Sequence, residues 1–144
     1  MMYPSTLVRF LTTFIVFLSP LLSYSQDCEL DFTYGLTGSN MTIMIRGGAL
    51  ENDILNNGDS IGAFMYLNDD WVCVGSVEWT GEQQVLAVWG NDFSSEYPDG
   101  LMPLDTVRIK AQSGGVVYDV SYSPIAVFYQ DGVHLINTAL EFTP

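Results

Sequence analysis

Five oxygen-bearing side chains, Asn91, Asp92, Ser94, Glu96 and Asp99, crowd into one short stretch of this 144-residue chain. Calcium takes about six to eight oxygens in flexible geometry, preferably from carboxylates and carbonyls, so this stretch is a candidate calcium loop. It is not an EF-hand loop: Gly100 falls too late and no bidentate glutamate closes the motif. The plainer use of the same residues is an Asx-turn crossover, with Asp92 and Asp99 accepting hydrogen bonds from backbone N–H groups. Gly58-Asp59 ahead of Ile61 divides the same way, between a carboxylate aimed at a ligand and a turn before a buried strand; the turn is the expectation.

Aromatic side chains are the second source of chemistry. Trp71, Tyr66 and Tyr97 form a candidate ligand-binding set, because aromatic faces stack on sugar rings when they share an exposed surface. Trp79 and Trp89 stand at strand ends, at even spacing from Cys73 and Val77 and from Val85 and Ala87 respectively, and both are expected in the core. The single histidine, His134, follows a turn without a serine or cysteine nucleophile motif near it. Glu78 and Glu82 flank Trp79 and Gly81 like a glycosidase pair, but such clefts use larger scaffolds, and solvated charges are the expected reading. Two distant cysteines and one histidine do not make a zinc site. No catalytic residue is assigned, and a non-enzymatic protein is expected.

Residues 1–25 bound the compartment. Arg9 precedes an apolar run, 10–22, and Ser23 and Ser25 supply small residues before Gln26, which together read as a secretory signal peptide cut after Ser25. The run is shorter than the ~20 residues that cross a bilayer, so a retained anchor is disfavoured. Cys28 followed by Glu29 and Asp31 admits a surface lipoprotein, although Gln26-Asp27 replace the small residues of a lipobox. The remaining 119 residues, 26–144, suit one domain. They carry three strong bases against 17 acids, a formal charge of −14. Such a surface repels phosphate backbones and anionic lipid, which excludes nucleic acid as a natural partner and leaves divalent cations and cationic partners open.

In an oxidising compartment Cys28 and Cys73 are expected to pair and to pin the N-terminal arm onto the sheet. The absence of C-x-x-C disfavours a redox role.

Elements must hold these residues in place, and the chain offers strands. Residues 60–65, 71–77 and 85–89 are short apolar runs between turn signals and read as an antiparallel meander. Met41, Ile43 and Ile45 alternate against Thr42, Met44 and Arg46, and Val107, Ile109 and Ala111 against Arg108, Lys110 and Gln112. Gly114-Gly115 turns the second of these back into 116–122 as a hairpin. Residues 32–34 are a candidate first strand; 126–129 and 133–142 are candidate last strands, joined at Asp131-Gly132. With no capped helical pattern, the expectation is all-β: a single antiparallel β-sandwich of 8–9 strands, Ig-like or jelly-roll-like, over residues 26–144.

The order G-D-x-I-G-x-F from Gly58, C-x-G-x-x-x-W-x-G from Cys73, V-W-G-x-D from Val88 and D-G at Asp99 resembles an uncharacterised domain, often repeated, of large secreted or cell-surface proteins of Bacteroidota. The resemblance spans about residues 41–122. It implies an extracellular β-rich module without an established activity, and this chain has Asn91 where that pattern tends to have Asp. The chain stops after Phe142-Thr143-Pro144 without the C-terminal sorting module such proteins carry, which leaves periplasmic retention, another export route or a longer polypeptide open. The expected function is a non-catalytic secreted or cell-surface module for adhesion or extracellular partner binding, with calcium as a candidate stabiliser. The alternative is a carbohydrate-binding module supporting polysaccharide capture or processing.

Overall fold

The computed structural model describes residues 30–144, so the signal-peptide assignment and Cys28 lie outside the described residues. Eight strands form two sheets, and one 3-10 turn, Gly47–Leu50, is the only helical element among the described residues. The smaller sheet has the order β4-β1-β7, with β1 Ser39–Ile45, β4 Gln84–Gly90 and β7 Val133–Ile136. The larger has the order β3-β2-β5-β6-β8, with β2 Ser60–Leu67, β3 Asp70–Glu78, β5 Arg108–Ser113, β6 Val116–Ser121 and β8 Glu141–Thr143. The chain is an all-β sandwich.

Period-two alternation builds the core between the sheets. Met41, Ile43 and Ile45 from β1 meet Ile109 and Ala111 from β5 and Leu86 and Val88 from β4, all buried in one cluster with Ile61, Ala63, Val120, Phe128 and Trp79. The β2–β3 and β5–β6 hairpins close on two-residue turns with both central residues at positive φ, Asn68 and Asp69 in one and Gly114 and Gly115 in the other. That geometry matches the right-handed twist of paired strands.

Five expectations about strands need correction. The meander breaks after β3, because β4 pairs with β1 in the opposite sheet instead of with β3. The reason is visible at Gly75, where an added Cβ would stand 1.9 Å from the Ala87 carbonyl oxygen. There β3 and β4 meet edge to edge at the corner of the sandwich, an approach only glycine permits. Residues 126–129 form no strand and contribute one isolated bridge, Thr106 to Val127. Asp131-Gly132 makes no hairpin: it feeds β7, which runs parallel to β1, the one parallel pair of strands among the described residues. Residues 133–142 divide into β7 and β8, which serve different sheets.

Residues 32–34 likewise pair with no strand. They cross the outer face of the larger sheet, where the Phe32 ring meets Phe64 edge-on at 5.3 Å and the Ser76 hydroxyl donates to the Phe32 carbonyl. A bulge on β3 prepares this face. One extra residue lets Val74 enter the core while Cys73 stays opposite Phe64 on the outside, buried with it beneath the arm. Cys73 forms no disulfide among the described residues. Burial pushes its thiol pKa up, which makes it a poor nucleophile.

Candidate functional site

The strand directions define two ends of the sandwich. At one, the Asp92 end, lie the β2–β3 turn, the long crossover 91–107 and the segment 122–132. At the other, the Gly114 end, lie the β5–β6 turn and the connections 46–59 and 79–83.

The crossover is ordered by its own side chains. Asp92 accepts from the Ser94 N–H at 2.9 Å and, through its other oxygen, from the Gly38 N–H at 2.6 Å, tying the loop to the arm. The Ser94 hydroxyl together with these two amides holds the Asp92 carboxyl below the ordinary carboxylate range. Asn91 accepts from the Phe93 N–H at 3.0 Å, and the Ser95 hydroxyl bonds the Tyr97 carbonyl. These are Asx and serine turns, as one of the two sequence readings has it for Asp92. Asp99 departs from that reading: half-buried, its Oδ1 has no hydrogen-bond partner. Among the described residues no three His, Cys, Asp or Glu side chains gather as metal ligands, so Asp92, Glu96 and Asp99 do not converge on one point. Asp59 also works as a turn residue, its carboxylate accepting from the Asn56 N–H at 2.6 Å.

Of the aromatic set, the register brings two members together. Tyr66 stands directly opposite Trp71 across β2 and β3, with ring centroids 5.0 Å apart. Tyr66 is 60% exposed and Trp71 half-buried. The Lys110 ammonium sits 4.1 Å from the Trp71 ring centroid and is ion-paired with Asp119. This lysine, 6% exposed, shows how a long side chain can lie flat on an aromatic floor and still satisfy its charge. Tyr97 is not part of this pair; it projects from the crossover, 73% exposed. Trp79 is buried as expected, its N–H donating to the Asp59 carbonyl at 2.6 Å. Trp89 is not a core residue: Leu86 and Val88 take the inward positions of β4, so Trp89 lies half-buried on the outer face with Val85 and Ala87.

Sequence reasoning missed the company these residues keep. Leu36, Phe93, Leu104 and Tyr129 are exposed at the same end as Tyr66 and Tyr97. The Leu104 N–H donates to the Phe128 carbonyl, the Asp131 N–H to the Asn40 carbonyl, and Thr37 bonds the Gly90 carbonyl, so arm, crossover and 122–132 segment are one surface. At the Gly114 end the connecting segments expose no aromatic ring, and the exposed large hydrophobes are Val85, Val116 and Leu135 on the strand ends. The available signal was that Phe93, Leu104 and Tyr129 sit among turn residues, where no strand could bury them.

Two openings flank the larger sheet. A cleft of about 280 Å³ at the Asp92 end is lined by Tyr66, Leu101, Asp105, Thr106 and Arg108 together with Phe64 and Met65. A broader groove of about 650 Å³ lies at the Gly114 end, lined by Leu30 to Phe32, Gly58 to Ser60, Gln112, Gly114 and Gly115. Its two carboxylates, Asp31 and Asp59, already accept backbone N–H bonds. The Thr33 amide and hydroxyl hold the Asp31 carboxyl below its ordinary range. His134 is half-buried, its Nε2 2.8 Å from the Pro124 carbonyl oxygen. No helix among the described residues is long and apolar enough to cross a membrane.

No family model, curated protein or solved structure matches the chain.

Proposed function

We propose that the protein is a non-catalytic secreted or cell-surface module that binds an extracellular partner through the Asp92 end of its sandwich. One observation carries this reading: exposed Leu36, Phe93, Tyr97, Leu104 and Tyr129 gather on the loops of one end, whereas the large hydrophobes exposed at the other are the aliphatic Val85, Val116 and Leu135 on its strand ends. Contiguous exposed apolar surface is uncommon on monomers and marks interaction sites, and exposed aromatics are the side chains that anchor protein interfaces. Adhesion or matrix binding is the work such a surface suits. The signal-peptide pattern of residues 1–25 and the resemblance to Bacteroidota surface domains support the extracellular setting. A Cys28–Cys73 disulfide belongs to the same proposal, since Cys73 lies beneath the arm; the intact mass of residues 26–144 before and after reduction and alkylation tests it.

A second reading is favoured by a separate observation. Tyr66 and Trp71 share the outer face of the larger sheet, the condition for a sugar-stacking platform. The experiment that separates the two is binding of residues 26–144 to arrays of extracellular proteins and of glycans. The combined Phe93→Ser, Tyr97→Ser and Tyr129→Ser variant is expected to lose protein binding by about tenfold or more. Val116→Ser is expected to leave it unchanged. Equal loss from both variants would remove the Asp92 end as the docking surface.

A further inference from the structure

We infer that the cleft between Tyr66 and Arg108 binds one ring of a neutral saccharide. This rests on the glycan reading above and names its site and its class of ligand. The outer face of the larger sheet follows from the register. Ala63, Ile109 and Ala111 point inward, so Phe64 and Tyr66 on β2 and Arg108 and Lys110 on β5 point outward. Phe64 pairs with Arg108, which makes Arg108 the diagonal neighbour of Tyr66, at about 7–8 Å along the face. Asp105 and Thr106, arriving at the start of β5, complete the cleft beside them.

The charges in this cleft are unlike those around it. Among the described residues there are three strong bases, and two of them, Arg108 and Lys110, belong to this face. Lys110 is committed to Asp119 and Trp71. Arg108 is exposed and has neither ion pair nor side-chain hydrogen bond among the described residues. Asp105 spends one oxygen on the Met102 N–H at 2.9 Å, leaving the other as an acceptor. A planar donor fork, a carboxylate acceptor and a hydroxyl thus stand beside an exposed tyrosine ring. Vicinal sugar hydroxyls each donate and accept, and the C–H face of a pyranose is apolar, so one ring satisfies both halves of the site. Asp69 and Asp70 in the adjacent turn and the −14 charge of residues 26–144 repel uronates and sulfate esters, which leaves neutral sugars.

The test is titration of residues 26–144 with mannohexaose, xylohexaose and cellohexaose, and with hexagalacturonate as the charged probe, read by calorimetry and tryptophan fluorescence. At least one neutral oligosaccharide is expected to bind saturably at one site and to change the emission of Trp71. Tyr66→Ala and, independently, Arg108→Gln are expected to weaken it by about tenfold or more, with Val116→Ser unchanged. Arg108 is exposed, so its variant keeps the test valid even if Tyr66→Ala perturbs folding. Neutral binding insensitive to Arg108→Gln would overturn this site while sparing the glycan reading. Preference for hexagalacturonate would overturn the neutral assignment, and no binding by any of the four would remove both.

Discussion

The two ends of the sandwich are both acidic and otherwise unlike. The Asp92 end carries Asp69, Asp70, Asp92, Glu96, Asp99, Asp105 and Asp131; the Gly114 end carries Glu51, Asp53, Asp59, Glu78 and Glu82. Carboxylates at both ends do the same general service of keeping a Trp- and Val-rich domain in solution. What differs is the exposed apolar surface, aromatic and carried on loops at one end, aliphatic and confined to strand ends at the other. Charge is therefore a property of the whole molecule, whereas exposed aromatic surface singles out a place on it.

The contrast can be strained by mutation, and the largest effect is expected from a glycine. An added Cβ at Gly90 would stand 2.1 Å from Cζ of the buried Phe128, whereas Gly114 faces open space with φ +57°. Gly90→Ala is expected to cost roughly 3 kcal/mol by overpacking, and Gly114→Ala about 1 kcal/mol from backbone strain alone. Urea unfolding of both variants measures the gap; equal losses would mean that the Asp92 end is not the tightly packed base from which its loops project.

Next in size is an alkaline transition at the same end. The Tyr122 hydroxyl donates to the Val107 carbonyl at 2.6 Å and accepts from the Ala126 N–H at 3.3 Å, joining the start of β5 to the 122–132 segment. Burial pushes its pKa from 10.0 up to about 12. The folded state favours the neutral phenol, so this stabilisation is complete below pH 10 and is lost as pH rises towards 12. The loss is on the order of 2 kcal/mol. Unfolding free energies between pH 9 and about 12 are expected to fall for the wild type and to fall less for Tyr122→Phe.

A local effect is expected at Asp92. Its depressed pKa means that its contribution is present above the ordinary carboxylate value of 3.8 and is lost as pH falls through the folded value. The protection factors of the Gly38 and Ser94 amides, taken against intrinsic exchange at the same pH, should then fall at acid pH, and at neutral pH in Asp92→Ala. Unchanged protection would show that the arm and crossover are not held by this carboxylate. The smallest expected effect is that of calcium: with both Asp92 oxygens engaged by N–H groups, the melting temperature should differ by less than about 1 °C between calcium and EGTA. A clear rise with calcium would restore the metal reading of Asn91, Asp92, Ser94, Glu96 and Asp99.

Strands whose two faces differ in burial were legible. Met41, Ile43 and Ile45, and Val107, Ile109 and Ala111, alternate in sequence as they do in space, and the Gly114-Gly115 hairpin was visible from its glycines. Sheet membership was not. Nothing in Thr80 to Gln83 says that β4 crosses to the other sheet; the cause is the contact of Gly75 with Ala87, which is distant in sequence. The parallel β7 was hidden because Asp131-Gly132 has the chemistry of a hairpin turn whether or not a partner strand follows. At the site, the facing of Tyr66 and Trp71 depends on a register set by the Asn68-Asp69 turn. Lys110 was read as outward and is outward, yet it is buried because Trp71 and Asp119 enclose it. Trp89 was misplaced because parity along one strand identifies a face without saying which face meets the core.

The most direct test of the binding end is a chemical-shift map of ¹⁵N-labelled residues 26–144 with the tightest array binder. The account predicts perturbations confined to Leu36 and its neighbours, residues 91–107 and 129–131, and the Tyr66–Trp71 hairpin. Perturbations centred on Gly58, Asp59 and Gly114 would contradict it.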